Sequence, residues 1–436
     1  MIGYQSSRRK QPRTPQDRYH ARKRKRELAA LPLRERLKVE TIFSRENLFL
    51  AAFDLVRMNG HAPGRDQVRP EQLTPSEIGD ISQAVSASIL AGTYRPHKTR
   101  PCDIPKPLSE EKRTLQIGCF FDRVVAKALH DSISPYVEGC FHTMSFGFRP
   151  GRSAWEMLAE LKVASEAEDT WVLVNVDIRK AFDRVVIDDV LQAHRELFQQ
   201  HAEQLGDHTP LLKLVETVLR GHDPHRQIGI DQGSPYSPTA LNIHLHLNHD
   251  VPINRDSIKP FWVREDHEQS RYADNLVYRA QSVKEGTQVL EYARRLLKSR
   301  QLELKGEGGV YDLRRGHNTP LLGFVLGKDQ KEMLFELGPE ALVRLRQHLL
   351  ETHESPDPVR QARLALRGWA ASMGPAFPRS RDACSAIGSL VADLGLREAY
   401  SRLEFSQAWE ESWVRWCLLV GQATSGYTRV YGDLRR

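Results

Sequence analysis

The sequence predicts an α+β protein in which strands and helices alternate to about residue 335 and helices alone follow. Three stretches carry that reading. Trp171-Val172-Leu173-Val174-Asn175-Val176-Asp177-Ile178 is a nearly continuous apolar run, as expected of a strand buried at the centre of a sheet. Arg271-Tyr272-Ala273-Asp274-Asn275-Leu276-Val277-Tyr278 sets apolar and aromatic flanks around an Asp-Asn pair, residues that tolerate turn backbone, and predicts a hairpin. From Pro339 onward apolar residues recur at helical spacing in blocks over 339–352, 357–373, 381–394 and 405–419.

The other elements follow in order. Residues 1–40 read as extended, then helical, around the basic run Arg22-Lys23-Arg24-Lys25-Arg26. Ser44 is placed to cap a helix over 45–56, which Asn59-Gly60 ends, and a second helix over 75–91 stops at Gly92. Prolines keep Cys102–Pro107 extended and Lys112–Ile117 resumes as a strand, so Lys106, Lys112 and Arg113 cluster on one hairpin. They are either surface charges on a turn or cations poised over a triphosphate. An amphipathic helix spans 122–134. In His142–Ala154 the backbone breaks at Gly147, Pro150 and Gly151, and Ser153 caps a helix over 154–167. Arg149 and Arg152 are expected to point out of that loop, a geometry suited to backbone phosphates. Beyond the 171–178 strand, Asp188 and Asp189 read as exposed helix-start acids. A helix over 210–222, a short strand over 225–230, a turn-rich loop over 231–238 and a helix over 239–249 come next. His244, His246 and His249 lack metal-binding helical spacing and read as ordinary helix-face histidines. A helix over 283–299, a polar excursion over 306–316 and strands over 321–326 and 333–335 complete the mixed region, with a break expected near 330–338.

Composition narrows the class. A chain of 436 residues, 40% hydrophobic, with mean hydropathy −0.51, fits a soluble protein of two or three domains. Neither an 18-residue apolar run nor an apolar N-terminal core is present in the sequence, so no membrane partner and no secretion are expected. Five scattered cysteines without a CxxC pair fit reduced thiols in the cytoplasm and carry no zinc signature. Net charge is +7, yet residues 1–39 hold 13 Lys and Arg against 3 Asp and Glu. The positive excess therefore sits in an N-terminal arm whose partner is a polyanion such as RNA or DNA, or else water.

Asp177 is the hard residue to explain structurally. An unpaired charge at the end of a buried strand costs several kcal/mol, so it calls for a cation. Antiparallel pairing of its strand with the 271–278 hairpin would set Asp177 and Asp274 at one end of one sheet. Two acids there suit two Mg²⁺ ions, which take oxygen ligands plus substrate phosphates.

At this point the chain resembles the bacterial reverse transcriptases of the group II intron lineage. The resemblance rests on ordered segments: Arg45–Asp66; Gly92-Thr93-Tyr94-Arg95-Pro96 with Ile104-Pro105-Lys106-Pro107 and Arg113; Ser145-Phe146-Gly147-Phe148-Arg149-Pro150-Gly151-Arg152-Ser153-Ala154; Asp177–Asp183; Gln232-Gly233 with Ser237-Pro238 and Asn242; Tyr272-Ala273-Asp274-Asn275; and Leu322-Gly323-Phe324. It covers about residues 45–327, and Leu366-Arg367-Gly368-Trp369-Ala370 is similar to a thumb motif of the family.

The resemblance implies a right-hand polymerase fold, with fingers and an antiparallel palm sheet followed by an α-helical thumb. The implied limits are a basic arm over 1–43, fingers over 44–170, palm with fingers elements over 171–335, and thumb and C-terminal helices over 336–436. It implies an RNA-directed DNA polymerase adding dNTPs to a 3′-hydroxyl, with Mg²⁺ or alternatively Mn²⁺ as cofactor and an RNA template or structured non-coding RNA and DNA product as partners. Asp177, Asp274 and the Ile178 carbonyl would hold the metals. Phe182 would be the steric gate against ribose, Lys106 and Arg113 would meet the triphosphate, and Gln232 and Gly233 would line the nucleotide pocket. Arg149 and Arg152 would lie along the template. Where the family has Asp, position 275 is Asn, which keeps the shape and loses the charge. The other readings are an RNA-binding maturase or scaffold with a silent palm, and a template-independent or protein-primed polymerase in antiviral defence. The helices after the thumb motif resemble no His/Cys endonuclease domain, so homing by second-strand cleavage is not expected of this chain alone.

Overall fold

Local capping signals begin several of the helices. The computed structural model describes residues 26–27, 30–57, 62–105, 110–255, 269–306 and 309–431. Helix α1 (Arg45–Arg57) starts on Ser44, whose hydroxyl accepts the Asn47 N–H at 3.3 Å. Helix α2 (Pro75–Leu90) opens on a capping box between Thr74 and Glu77, and the chain leaves it at Gly92 with φ +70°. Strands β1 (Arg100–Pro105) and β2 (Lys112–Ile117) form the expected antiparallel hairpin, with Arg100 opposite Ile117. Helix α3 (Phe120–Val137) follows, longer at both ends than its apolar pattern indicates. Ser153 and Glu156 form a second capping box at the start of α4 (Ala154–Glu168).

Strand β3 (Val172–Asp177) lies inside a four-stranded sheet, ordered β4-β5-β3-β6, with β4 (Gln269–Tyr272), β5 (Asn275–Ala280) and β6 (Gly309–Asp312). It pairs antiparallel with both neighbours, so its main chain is satisfied on both edges and its apolar run is buried on both faces. Alternate residues serve different cores. Val174, Val176, Leu276 and Tyr278 join one core with α3 and with helices α5 (Ile187–Gln199), α6 (Thr209–Arg220) and α7 (Ser237–Leu245). Trp171, Leu173 and Val277 join a second. Helix α8 (Val283–Lys298) covers the first face, and its Gly286 lies close against Val172, Val174 and Val310.

The second core is made with a three-stranded sheet, β7 (Thr319–Leu321), β8 (Phe324–Asp329) and β9 (Glu332–Leu337), and with helices α9 (Pro339–Glu351), α10 (Pro358–Ser372), α11 (Ala383–Asp393) and α12 (Arg402–Tyr431). Helix α12 docks on α4 and α10 through tryptophans. Trp416 meets Trp155 edge-on at 6.2 Å, and Trp409 meets Trp369 at 5.2 Å.

Four expectations differ from the structure. The polar excursion over 306–316 contains β6, an edge strand held by main-chain bonds to β3. Residues 225–230 form only an isolated bridge, Ile228 to Val186, since they have no neighbouring strand long enough to pair with. The 321–326 strand is broken at Leu322-Gly323, where φ is +51° and +92°. Helix α12 runs on to Tyr431. The last strand, β9, ends at Leu337 and helices alone follow among the described residues, while Met333 and Phe335 share one core with Ala341 and Leu345.

Candidate active site

Asp177 ends β3 opposite Asn275, the first residue of β5, and both are half-buried. The Ile178 N–H donates to the Asp274 carbonyl at 2.9 Å, and the Lys305 N–H donates to the Asp177 carbonyl at 2.7 Å. Ile178 also bridges Leu304, through Lys305 on Asp177 and Arg179 on Glu303, and neither bond uses the Ile178 carbonyl. Asp177, the Ile178 carbonyl and Asp274 thus share one end of the sheet, as antiparallel pairing predicts. This all-oxygen set fits a hard divalent cation.

The turn that presents Asp274 has only two residues, Ala273 and Asp274, between the paired Tyr272 and Asn275. Ala273 sits at φ +58°, where glycine is usual. Neighbours hold it there. The Gly147 backbone presses on it so closely that a Cβ on Gly147 would come within 2.1 Å of the Ala273 nitrogen. Beneath the turn, the Arg271 N–H donates to the Met144 carbonyl at 2.9 Å, and the Phe146 N–H donates to the Arg271 carbonyl at 2.8 Å.

The Arg271 side chain is fully buried and wires the turn to α7. Its Nε and Nη2 grip the Asp250 carboxylate at 2.9 and 2.7 Å, and its Nη1 donates to Asn242 Oδ1 at 2.8 Å and to the Ala273 carbonyl at 3.1 Å. The Asn242 amide donates in turn to the Gly147 carbonyl at 2.8 Å. Asp250 also takes bonds from His249 and Gln269, and His249 Nε2 lies 2.6 Å from the Tyr278 hydroxyl. Burial pushes the Asp250 carboxyl up, but the Arg271 guanidinium and the His249 bond hold it well below the usual carboxylate range. Asp250 closes a π-helical turn, His246–Asp250, that continues α7, and the wider turn carries it toward the hairpin.

Burial pushes the Asp274 carboxyl up, against the bond from its own backbone N–H and the charges of Arg113, Arg271 and Lys305. Arg113, exposed on β2, therefore acts electrostatically on the acid. Phe182 is half-buried in a one-turn helix, Ala181–Arg184, and meets the exposed Phe148 ring edge-on at 6.0 Å. The Gln232 carbonyl accepts the Gln116 N–H at 2.7 Å, and Gly233, at φ +110°, passes close to the Gln116 carbonyl. The loop over 231–238 is thereby tied to the β1-β2 hairpin.

Arg149 departs from expectation. Its guanidinium is buried and binds the Glu138 carboxylate and the carbonyls of Glu138, His142 and Ser145, so it braces the loop instead of pointing out of it. Arg152 is half-buried, with Nη1 on the Thr143 carbonyl at 3.1 Å and its guanidinium over the Phe146 ring. Lys106, Arg22, Lys23, Arg24 and Lys25 lie outside the described residues, and Arg26 is exposed. His244 on α7 and His246 and His249 in the π-helical turn that follows it are buried. Among the described residues no helix is long and apolar enough to cross a membrane. Asp250 and the buried role of Arg271 escape the sequence reading, because nothing local marks either residue.

Comparison with known proteins bears on this geometry. Residues 104–307 match the family described as reverse transcriptase (RNA-dependent DNA polymerase). Over 216 residues the chain is 27% identical to group II intron-encoded protein LtrA of Lactococcus lactis subsp. cremoris, covering 47% of this chain and 35% of that protein. Residues 104–307 are thus similar to reverse transcriptases, group II intron-encoded proteins among them. Protein YkfC of Escherichia coli K12 is 29% identical over 205 residues, covering 45% of this chain and 51% of YkfC. The aligned stretch thus spans about half, or less, of these curated relatives. A telomerase from Candida albicans, solved with a TWJ fragment of telomeric RNA, covers 78% of this chain and 64% of its own at 11% identity and a TM-score of 0.40. The matched residues contain strands β3, β4 and β5 of the antiparallel sheet, and helices alone follow β9 among the described residues. Reverse transcriptases are generally metal-dependent enzymes.

Proposed function

We propose that this chain is an RNA-directed DNA polymerase that adds dNTPs to a primer 3′-hydroxyl on an RNA template. The observation that carries the reading is the pairing of β3 with β5, which brings Asp177 and the Asp274 turn to one sheet end. In this reading Asp177, Asp274 and the Ile178 carbonyl hold Mg²⁺ or Mn²⁺. When bound, the ions supply Lewis acidity to the attacking hydroxyl and the leaving pyrophosphate. Arg113, with Lys106, neutralises the triphosphate, while Phe182 crowds a ribose 2′-hydroxyl and Gln232 and Gly233 form the pocket wall. Arg152 and the basic arm, Arg22 to Arg26, contact nucleic-acid phosphates, whereas Arg149 supports the loop from within. Fingers over 44–170, palm over 171–335 and thumb over 336–436 are the matching divisions.

The test is extension of a DNA primer on an RNA template by the purified chain with dNTPs and Mg²⁺. Extension is expected, and Asp177→Asn and Asp274→Asn are each expected to abolish it. Extension that survives both substitutions overturns the assignment. Asn275 favours one second reading, an RNA-binding scaffold with a weak or silent palm, because the turn carries one carboxylate where two are usual in the resemblance. Under that reading RNA binding is retained, and neither aspartate substitution changes the biological effect.

A further inference from the structure

At the base of the β1-β2 hairpin, three chemically different ligating groups converge. A His97 ring nitrogen, Cys119 Sγ and an Asp122 carboxylate oxygen all lie within 4.8 Å of one another. We infer that this cluster binds a divalent cation of the zinc type. A set of one thiol, one imidazole and one carboxylate is wrong for Mg²⁺ or Ca²⁺, which take oxygen ligands, and suits Zn²⁺. Tetrahedral zinc bonds of roughly 2.0–2.3 Å place ligand atoms roughly 3.3–3.8 Å apart. His97 Nδ1 and Asp122 Oδ2 are already 3.1 Å apart. The His97 ring is largely exposed and already bonded to Asp122, whereas Cys119 is buried.

The supporting contacts resemble those of a metal site. The Tyr94 hydroxyl donates to Asp122 Oδ1 at 2.8 Å, and the His97 backbone N–H donates to Asp122 Oδ2 at 2.9 Å, so the carboxylate is oriented from two sides. Beside it lies a small cavity of about 40 Å³, lined in part by Tyr94, His97, Asp122 and Ser234, with room for a water as fourth ligand. Topology gives the site a purpose. His97 stands just before β1 and Cys119 just after β2, so one ion would clamp both legs of the hairpin to the start of α3. The spacing 97, 119 and 122 matches no zinc motif, and folding alone assembles the set.

The experiment uses the full-length chain, stripped of metal by chelation and titrated with Co²⁺. One equivalent is expected to produce a thiolate-to-cobalt charge-transfer absorption that one equivalent of Zn²⁺ displaces. Cys119→Ala abolishes that absorption, His97→Ala weakens binding at least about tenfold, and Tyr94→Phe weakens it by about tenfold through loss of the orienting bond. Cys102→Ala and Asp274→Asn retain it, which separates this site from the other hairpin thiol and from the palm. No charge-transfer band in the wild-type chain, or a band that persists in Cys119→Ala, overturns the inference. Circular dichroism of the metal-free variants confirms that they are folded.

Discussion

Gly147→Ala tests whether the loop over 142–154 positions the turn that presents Asp274. A Cβ at 147 would stand 2.1 Å from the Ala273 nitrogen, 2.8 Å from its Cα and 2.9 Å from the Tyr272 carbonyl carbon, where ordinary contact begins near 3.4 Å. All three atoms are backbone, so no flexible side chain can absorb the overlap. The loop or the turn must retreat by about 1 Å, and the turn carries Asp274. Displacement of a reacting group by about 1 Å costs about 100-fold in rate. Overpacking at a filled site costs about 1–3 kcal/mol of stability. The assay pairs single-turnover primer extension with urea unfolding of the same variant. Gly151→Ala is the control, since Gly151 has φ +69° but nothing within 4 Å of a Cβ. It carries backbone strain of about 1 kcal/mol without the clash and keeps its rate. A Gly147→Ala chain with wild-type unfolding midpoint and wild-type rate would refute the reasoning, whatever Gly151→Ala does.

Three further outcomes follow from the same geometry. Arg271→Met leaves Asp250 charged and buried without its main partner, and is expected to cost about 3–5 kcal/mol in urea unfolding; a loss under 1 kcal/mol contradicts the buried pair. His194, His244 and His246 are buried, and desolvation pushes each down to about 4. The unfolded chain takes up these protons below about 6.5 and the folded chain does not, so stability is lost as pH falls from 6.5 toward 4, by at most roughly 3 kcal/mol apiece; a flat unfolding midpoint across that window refutes this. Asn275→Asp adds a carboxylate opposite Asp177 and is expected to raise the extension rate at low Mg²⁺; an unchanged rate means that the missing charge does not limit the reaction.

Legibility in the sequence tracks how local the causes are. The capping boxes at Thr74 and Ser153 and the apolar run of β3 depend on neighbours a few residues away, and they fold where their patterns place them. The pairing of Asp177 with the Asp274 turn was readable because each strand carries its own apolar signature. Strand β6 was not, since its only apolar side chains are Val310 and Tyr311 and its pairing runs through main chain that has no sequence signature. The end of α12 was missed for a related reason, because Gly421, Thr424, Ser425 and Gly426 read as coil. Arg149 misled for the opposite reason: a glycine-rich loop with arginines has the composition of a phosphate site, and composition does not reveal that Glu138 waits beneath it.

The deeper omission was the ground under the site. Asp250, Arg271, Asn242 and Gly147 come from segments that lie up to 124 positions apart in the numbering, yet they form one buried chain of bonds ending on the Ala273 turn. A buried arginine is costly unless every donor is met, and here a carboxylate, an amide oxygen and a carbonyl meet it. That completeness explains how an alanine is held at a positive φ in the turn that presents Asp274. The strain is carried by a network whose members gain nothing from it individually. The aspartate is therefore positioned by buried residues, and substitutions at Asn242 or Asp250 are expected to lower the rate with the dNTP KM unchanged. A raised KM with an unchanged rate at either position would instead mean that the network shapes the nucleotide pocket and leaves the acid where it is.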